Sequence, residues 1–342
     1  RINIVSFMST TYLGMRNLLL LSLAEIQSRP TEDATGYFAL AGIHGRNVSY
    51  NGTEQMNNIT EGVGGWCQHG NGLFPPFHRA YQAQMEKAVR HYAEQIALQY
   101  EDPELRDYFV SNARKLRLPY WDWASEDTVA YGVPPIFLAD KLAVRPPPLA
   151  EPKFIANPLR NYTFPEKVAF YGDVRPRANV LEFKTYLVGE STFRHPDFLG
   201  RVSNDTLMNS NVRFAAQSTW VPGVYDMFRT QTDYGQFSNH FGTVLQRPND
   251  SSVRYGEVPS LELFHDNIHD TVGAFPHDAR FLPDFTVASP RISIYNLIHQ
   301  QPIFFLQQAA GVERCIMFRW HRSILFSGSI TTTWRGSLSS GS

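Results

Sequence analysis

From 77 to 100 the apolar positions Phe77, Tyr81, Met85, Ala88, Tyr92 and Ile96 recur at three- and four-residue spacing, with Glu and Lys between them. That period predicts a long, half-buried helix. A second helix is expected from about Ser260, which follows Pro259 and is suited to cap it, through Leu261, Phe264, Ile268 and Val272. Residues 12–27 suit a third, and another is expected between Pro302 and Trp320. Long loops separate these segments. Prolines crowd Pro134 to Pro158, most of all from Pro146 onward, and predict a stretch without regular structure. No internal repeat is present, and Ser327 to Ser342, rich in Ser, Thr and Gly, reads as a linker or frayed end. The pattern is that of a mainly α fold in which an antiparallel helix bundle with long surface loops carries side chains on facing helices.

Composition narrows the class of partner. The 342 residues, 43% hydrophobic and 13% aromatic, suffice for one large domain with a sizeable core, expected over 1–326. Lys+Arg of 31 against Asp+Glu of 32 gives a net charge of -1 and no basic footprint for a polyanion, so nucleic acid is not an expected partner. No apolar run approaches the roughly 20 residues needed to span a bilayer, and no membrane partner is expected either. Asn-x-Ser/Thr sequons at Asn47, Asn51, Asn58, Asn161, Asn204 and Asn249 point to a secreted, extracellular protein. Two cysteines, Cys67 and Cys315, exclude a disulfide framework.

Histidines supply the candidate chemistry. One cluster comprises His44 in Gly42-Ile43-His44-Gly45, His69 in Trp66-Cys67-Gln68-His69-Gly70, and His78 at the start of the long helix. The helix would fix one imidazole while the preceding loop wraps the other two around the same ion. The second cluster, His265-Asp266-Asn267-Ile268-His269, is an i,i+4 pair with both rings on one helix face. Imidazole suits copper, zinc, iron and nickel alike, so spacing alone does not select the metal. A zinc hydrolase would show Glu after the first His of the pair, where this chain has Asp266. His91, His195, His240 and His277 read as ordinary polar positions.

Taken together and in order, several segments resemble the tyrosinase and catechol oxidase family of fungal type. They are Ala41-Gly42-Ile43-His44-Gly45, Cys67-Gln68-His69, Leu73-Phe74-Pro75-Pro76-Phe77-His78-Arg79-Ala80-Tyr81, Leu118-Pro119-Tyr120-Trp121-Asp122-Trp123-Ala124, Phe237-Ser238-Asn239 and Ser260 to His269. The resemblance covers about 17–273 and fades after 290. It implies a helical core holding two copper ions, with His44, His69 and His78 on the first and His265 and His269 on the second. It also implies a thioether joining Cys67 to His69, and oxidation of o-diphenols and monophenols by O2 to o-quinones. Asp266, Glu257 and Glu262, with Asp270, are the candidates for handling the phenolic proton.

The family's last copper ligand falls in a segment that here reads Gln301-Pro302-Ile303-Phe304-Phe305-Leu306-Gln307-Gln308. Gln307 or Gln308 stands at the ligand position, depending on the alignment, and an amide carbonyl is a poor donor for Cu(I). His299 is the nearest alternative donor. The rival readings are therefore a non-catalytic copper-binding homologue with one filled site, an O2 carrier built on the same copper pair, and the zinc hydrolase.

Overall fold

Apolar spacing and capping residues together decide where the helices begin and end. The computed structural model describes residues 1–44, 68–171, 186–192, 194–195, 203–239 and 259–273. Outside them lie Cys67, Glu257, His240, His277, His299, Gln307, Gln308, four of the sequons, the helix expected between 302 and 320, and the tail. The short α1 (Ile4–Phe7) is capped by Asn3, whose Oδ1 accepts from Val5 N–H at 2.9 Å. Ile4 N–H donates to Tyr120 O at 2.6 Å, which ties the N-terminal segment to the chain before Trp121.

The helix α2 (Leu13–Ser28) buries Leu18, Leu19, Leu20, Leu23 and Ile26. Three consecutive leucines cover most of the helix circumference, so α2 lies inside the core, and each such side chain contributes about 1.5–3 kcal/mol on burial. After α3 (Tyr37–Gly42) comes α4 (Phe74–Ala97), which begins one turn earlier than its apolar period predicted. Pro75 and Pro76 occupy the first turn, where a missing N–H costs nothing, and so extend the helix upstream of Phe77. Asp102 caps α5 (Pro103–Lys115), accepting from Leu105 N–H at 2.9 Å, and Arg114 and Lys115 complement the far end. Helices α2, α4 and α5 pack on one another.

Beyond α6 (Glu126–Tyr131) the structure departs from the expected loop. Strands β1 (Lys141–Val144) and β2 (Lys153–Ala156) pair antiparallel, Lys141 opposite Ala156 and Val144 opposite Lys153. The prolines at 146–148 and 152 occupy the connection rather than the ladder, so none removes a ladder hydrogen bond. A second antiparallel pair joins β3 (Thr163–Tyr171) to β4 (Tyr186–Ser191).

The remaining described helices complete the helical core. α7 (Asp205–Ala215), capped by Asn204, runs into a π-helical turn (Ala216–Trp220) and then α8 (Val221–Thr230). The short α9 (Tyr234–Ser238) comes next, and then α10 (Leu261–Gly273), which Ser260 caps as expected through Oγ, accepting from Leu263 N–H at 3.2 Å. α10 packs against α4, α7 and α9, which brings the two histidine-bearing helices face to face. The far end of α10 is held by His195, whose N–H donates to Val272 O at 3.0 Å from a backbone at φ 43. His195 also accepts at Nε2 from Asn211 at 2.8 Å, so it is a structural brace rather than an ordinary polar position. Its neighbour Arg194 is buried, with Nη2 donating to the carbonyls of Phe137, Leu159 and Arg160.

Candidate metal centre

His44 sits just past α3, where its N–H donates to Ala41 O at 3.0 Å. His69 lies on the loop before α4, and that loop is shaped residue by residue. Gly70 adopts φ 68, a region closed to most side chains, and its N–H donates to Glu262 Oε1 of α10 at 2.6 Å. Asn71 donates from Nδ2 to His69 O at 3.0 Å and accepts at Oδ1 from Leu73 N–H at 2.8 Å. Tyr234 Oη donates to Gly72 O at 2.8 Å. The ligand loop is thus held from α9 and α10 as well as by itself.

His78 projects from the second turn of α4, with Nδ1 2.7 Å from Phe74 O. A carbonyl only accepts, so the proton is on Nδ1 and the Nε2 lone pair is available. His265 repeats this logic on α10, donating from Nδ1 to Asp266 Oδ1 at 2.9 Å. The Nε2 atoms then meet in pairs, His44 with His78 at 3.1 Å and His265 with His269 at 3.0 Å. Across the two helices, ring centroids of His69 and His78 each lie 5.3 Å from that of His265, and His44 lies 6.3 Å from His269. All five expected ligands therefore converge. Donor atoms of His44, His69, His78 and His265 lie within 4.8 Å of one another, and His69, Glu262 and Asp266 form a second such group.

The surroundings favour neutral imidazoles. Burial pushes His78 down to about 3, and burial, assisted by the neighbouring histidines, holds His44 and His269 well below the ordinary histidine value. Neutral imidazole is the metal-binding form, so these groups arrive ready to ligate. Phe74, 1% exposed, lies against three of them, its ring 5.7 Å from His69, 4.3 Å from His78 and 5.0 Å from His265. Tyr81 stacks on His44 at 5.5 Å and anchors itself by donating to Leu40 O at 3.0 Å. Sequence reading did not assign either aromatic a role at the site. Their signal was present as the α4 period, with Phe74, His78 and Tyr81 three and four residues apart. Glu262, a candidate for proton handling, is fully buried beside the cluster, and Asp266 lies at its edge.

The profile of the common central domain of tyrosinase matches residues 34–308. The chain belongs to the tyrosinase family. Among its relatives, the tyrosinase of Podospora anserina is 31% identical over 76% of this chain and 43% of its own length. Polyphenol oxidase 3 of Agaricus bisporus is 24% identical over 92% of this chain and 49% of its own. The chain thus spans about half the length of these curated relatives. Solved structures share the fold as well. Recombinant mushroom tyrosinase aligns with a TM-score of 0.67 at 23% identity, covering 92% of this chain and 50% of that one. The holo-protyrosinase of Aspergillus oryzae aligns with a TM-score of 0.65 at 21% identity, covering 92% and 59%.

Tyrosinases use two copper ions, and the histidines gathered here form a group that could hold a metal ion. Just past α3, on the loop and on α4, His44, His69 and His78 lie together, and His265 of α10 joins them in one group of donors. No helix among the described residues is long and apolar enough to cross a membrane.

Proposed function

We propose that this chain is the oxidase core of a secreted phenol oxidase that converts o-diphenols, and monophenols, to o-quinones with O2. The observation that carries the reading is the convergence of five imidazoles from three distant segments, two of them with Nδ1 occupied as a donor and Nε2 turned to the centre. A bound copper pair would supply the redox capacity that couples two-electron oxidation of a catechol to reduction of O2. His44, His69 and His78 would hold one ion, and His265 and His269 the other.

The remaining residues serve the substrate's proton and the ligand rings. A catechol must lose two protons and two electrons to become a quinone, so a carboxylate near the centre has a task. Glu262, buried and already holding the His69 loop, and Asp266, joined to His265, would serve it. Phe74, packed against His69, His78 and His265, would hold those rings in place. The sequon at Asn204 is exposed and supports the secretory route, whereas the Asn161 amide donates to Ser191 Oγ at 2.7 Å from a half-buried position.

Copper reconstitution tests the proposal. Two coppers per chain with o-quinone appearing from a catechol would support it. One copper per chain and no quinone would favour the second reading, a homologue in which only His44, His69 and His78 hold metal. That reading rests on Gln307 and Gln308 at the position of the family's last ligand. Reversible O2 uptake without quinone would instead indicate a carrier.

A further inference from the structure

On a helix of 3.6 residues per turn, the residue midway between an i,i+4 pair projects from the face opposite the pair. In α10 that residue is Asn267, lying between His265 and His269. Its Oδ1 accepts from Trp220 Nε1 at 2.6 Å, a contact across 47 residues of sequence. Trp220 is fully buried and ends the π-helical turn between α7 and α8. A π turn holds one residue more than an α turn, so it rotates α8 relative to α7, and such turns concentrate at functional sites.

The same support reaches α10 a second time, one turn upstream. Trp123 lies edge-on to Trp220 at 5.8 Å and also covers Phe264 at 5.9 Å. Gly223, just beyond the π turn, leaves room for the Phe264 ring, since a Cβ there would come within 2.7 Å of it. Phe264 and Asn267 are three residues apart and share one face. The back of α10 is therefore pinned at two successive points, one by packing and one by a directional hydrogen bond.

We infer that Trp220 is a positioning residue for the second metal site, acting through Asn267 to set the rotation of α10 about its own axis and so the aim of His265 and His269. Packing alone tolerates small rotations. With side-chain tips about 5–6 Å from the axis, a rotation of roughly 10° moves an imidazole by about 1 Å. A hydrogen bond of fixed direction on the opposite face resists that rotation. The inference rests on the proposed copper site, but its first readout does not require copper.

The test uses the full chain with histidine-selective 15N labelling and the variants Trp220→Phe, Asn267→Leu and Asn267→Asp. In the metal-free protein, Trp220→Phe and Asn267→Leu should shift the imidazole resonances of His265 and His269 and leave His78 unmoved. Asn267→Asp keeps the acceptor and should leave all of them in place. No shift in any resonance, or an equal shift in all five, would overturn the inference, the latter by showing general loosening. Copper titration against a chromophoric Cu(I) chelator gives the second readout. Affinity of the His265/His269 site should fall about tenfold in either disrupting variant and no further in the double variant, as expected for a shared contact supporting a ligand. Additive losses would overturn it. A parent that takes up one copper would count against the proposed oxidase, while the resonance shifts would still decide the positioning role.

Discussion

Glu262 holds the Gly70 N–H and stands buried beside the imidazoles, and the proposed function gives it a second task as a base. Substitution separates them. Glu262→Gln keeps an acceptor oxygen for Gly70 but cannot take a proton, so quinone formation is expected to slow about 100-fold with copper content unchanged. Glu262→Ala also removes the anchor of the His69 loop, and copper affinity should fall by about 10–100-fold as well. Parallel assays of turnover and bound copper would check both. Asn17 illustrates the structural counterpart. Its Nδ2 donates to Tyr100 Oη and Arg145 O, both at 3.1 Å, and its Oδ1 accepts from Arg145 N–H. Asn17→Ala empties a buried position and strands a part-buried backbone N–H, and chemical denaturation should show a loss of about 1–3 kcal/mol. Nothing in the sequence around Asn17 signals this, because its partners lie 83 and 128 residues away.

At the scale of elements, legibility followed locality. α4 and α10 could be read because their apolar period, the serine cap of α10, and their histidines all lie within one segment. The α7–π–α8 run could not, since Pro222 and Gly223 in its middle look like breakers. In the structure Pro222 falls in the first turn of α8, where proline is tolerated, and Gly223 makes room for Phe264. The β1–β2 hairpin was hidden for the converse reason, as its prolines belong to the connection between the strands. Gly223→Ala puts two effects in opposition. Alanine is the better helix former by about 1 kcal/mol, whereas forcing a methyl against a packed ring costs about 1–3 kcal/mol. Phe264, 3% exposed with Trp123 behind it, has no room to yield, so a net loss is expected as a lower urea midpoint.

Considered whole, the protein encloses a cluster of imidazoles that the fold prefers uncharged. In the unfolded chain a histidine takes up its proton near 6.5, while in the folded protein His78 stays neutral down to about 3, with His44 and His269 also held low. Protons then favour the unfolded state. Stability of the metal-free protein should be level above about 6.5 and fall as the pH drops toward 3, by up to roughly 1.4 kcal/mol per pH unit for each such group. Thermal melts across that range would check it, and copper-loaded protein should resist the fall until protons displace the metal. The single bond from Gly70 to Glu262 has a reach beyond its own energy. It ties the loop that carries His69 to the helix that carries His265 and His269, so under the proposed function the binding of one ion would be coupled to the binding of the other. By thermodynamic reciprocity, whatever the first ion gains when α10 is ordered by the second, the second gains from the first. Loading should therefore run steeper than two independent sites allow, and a half-filled centre should be the scarcest species in the titration.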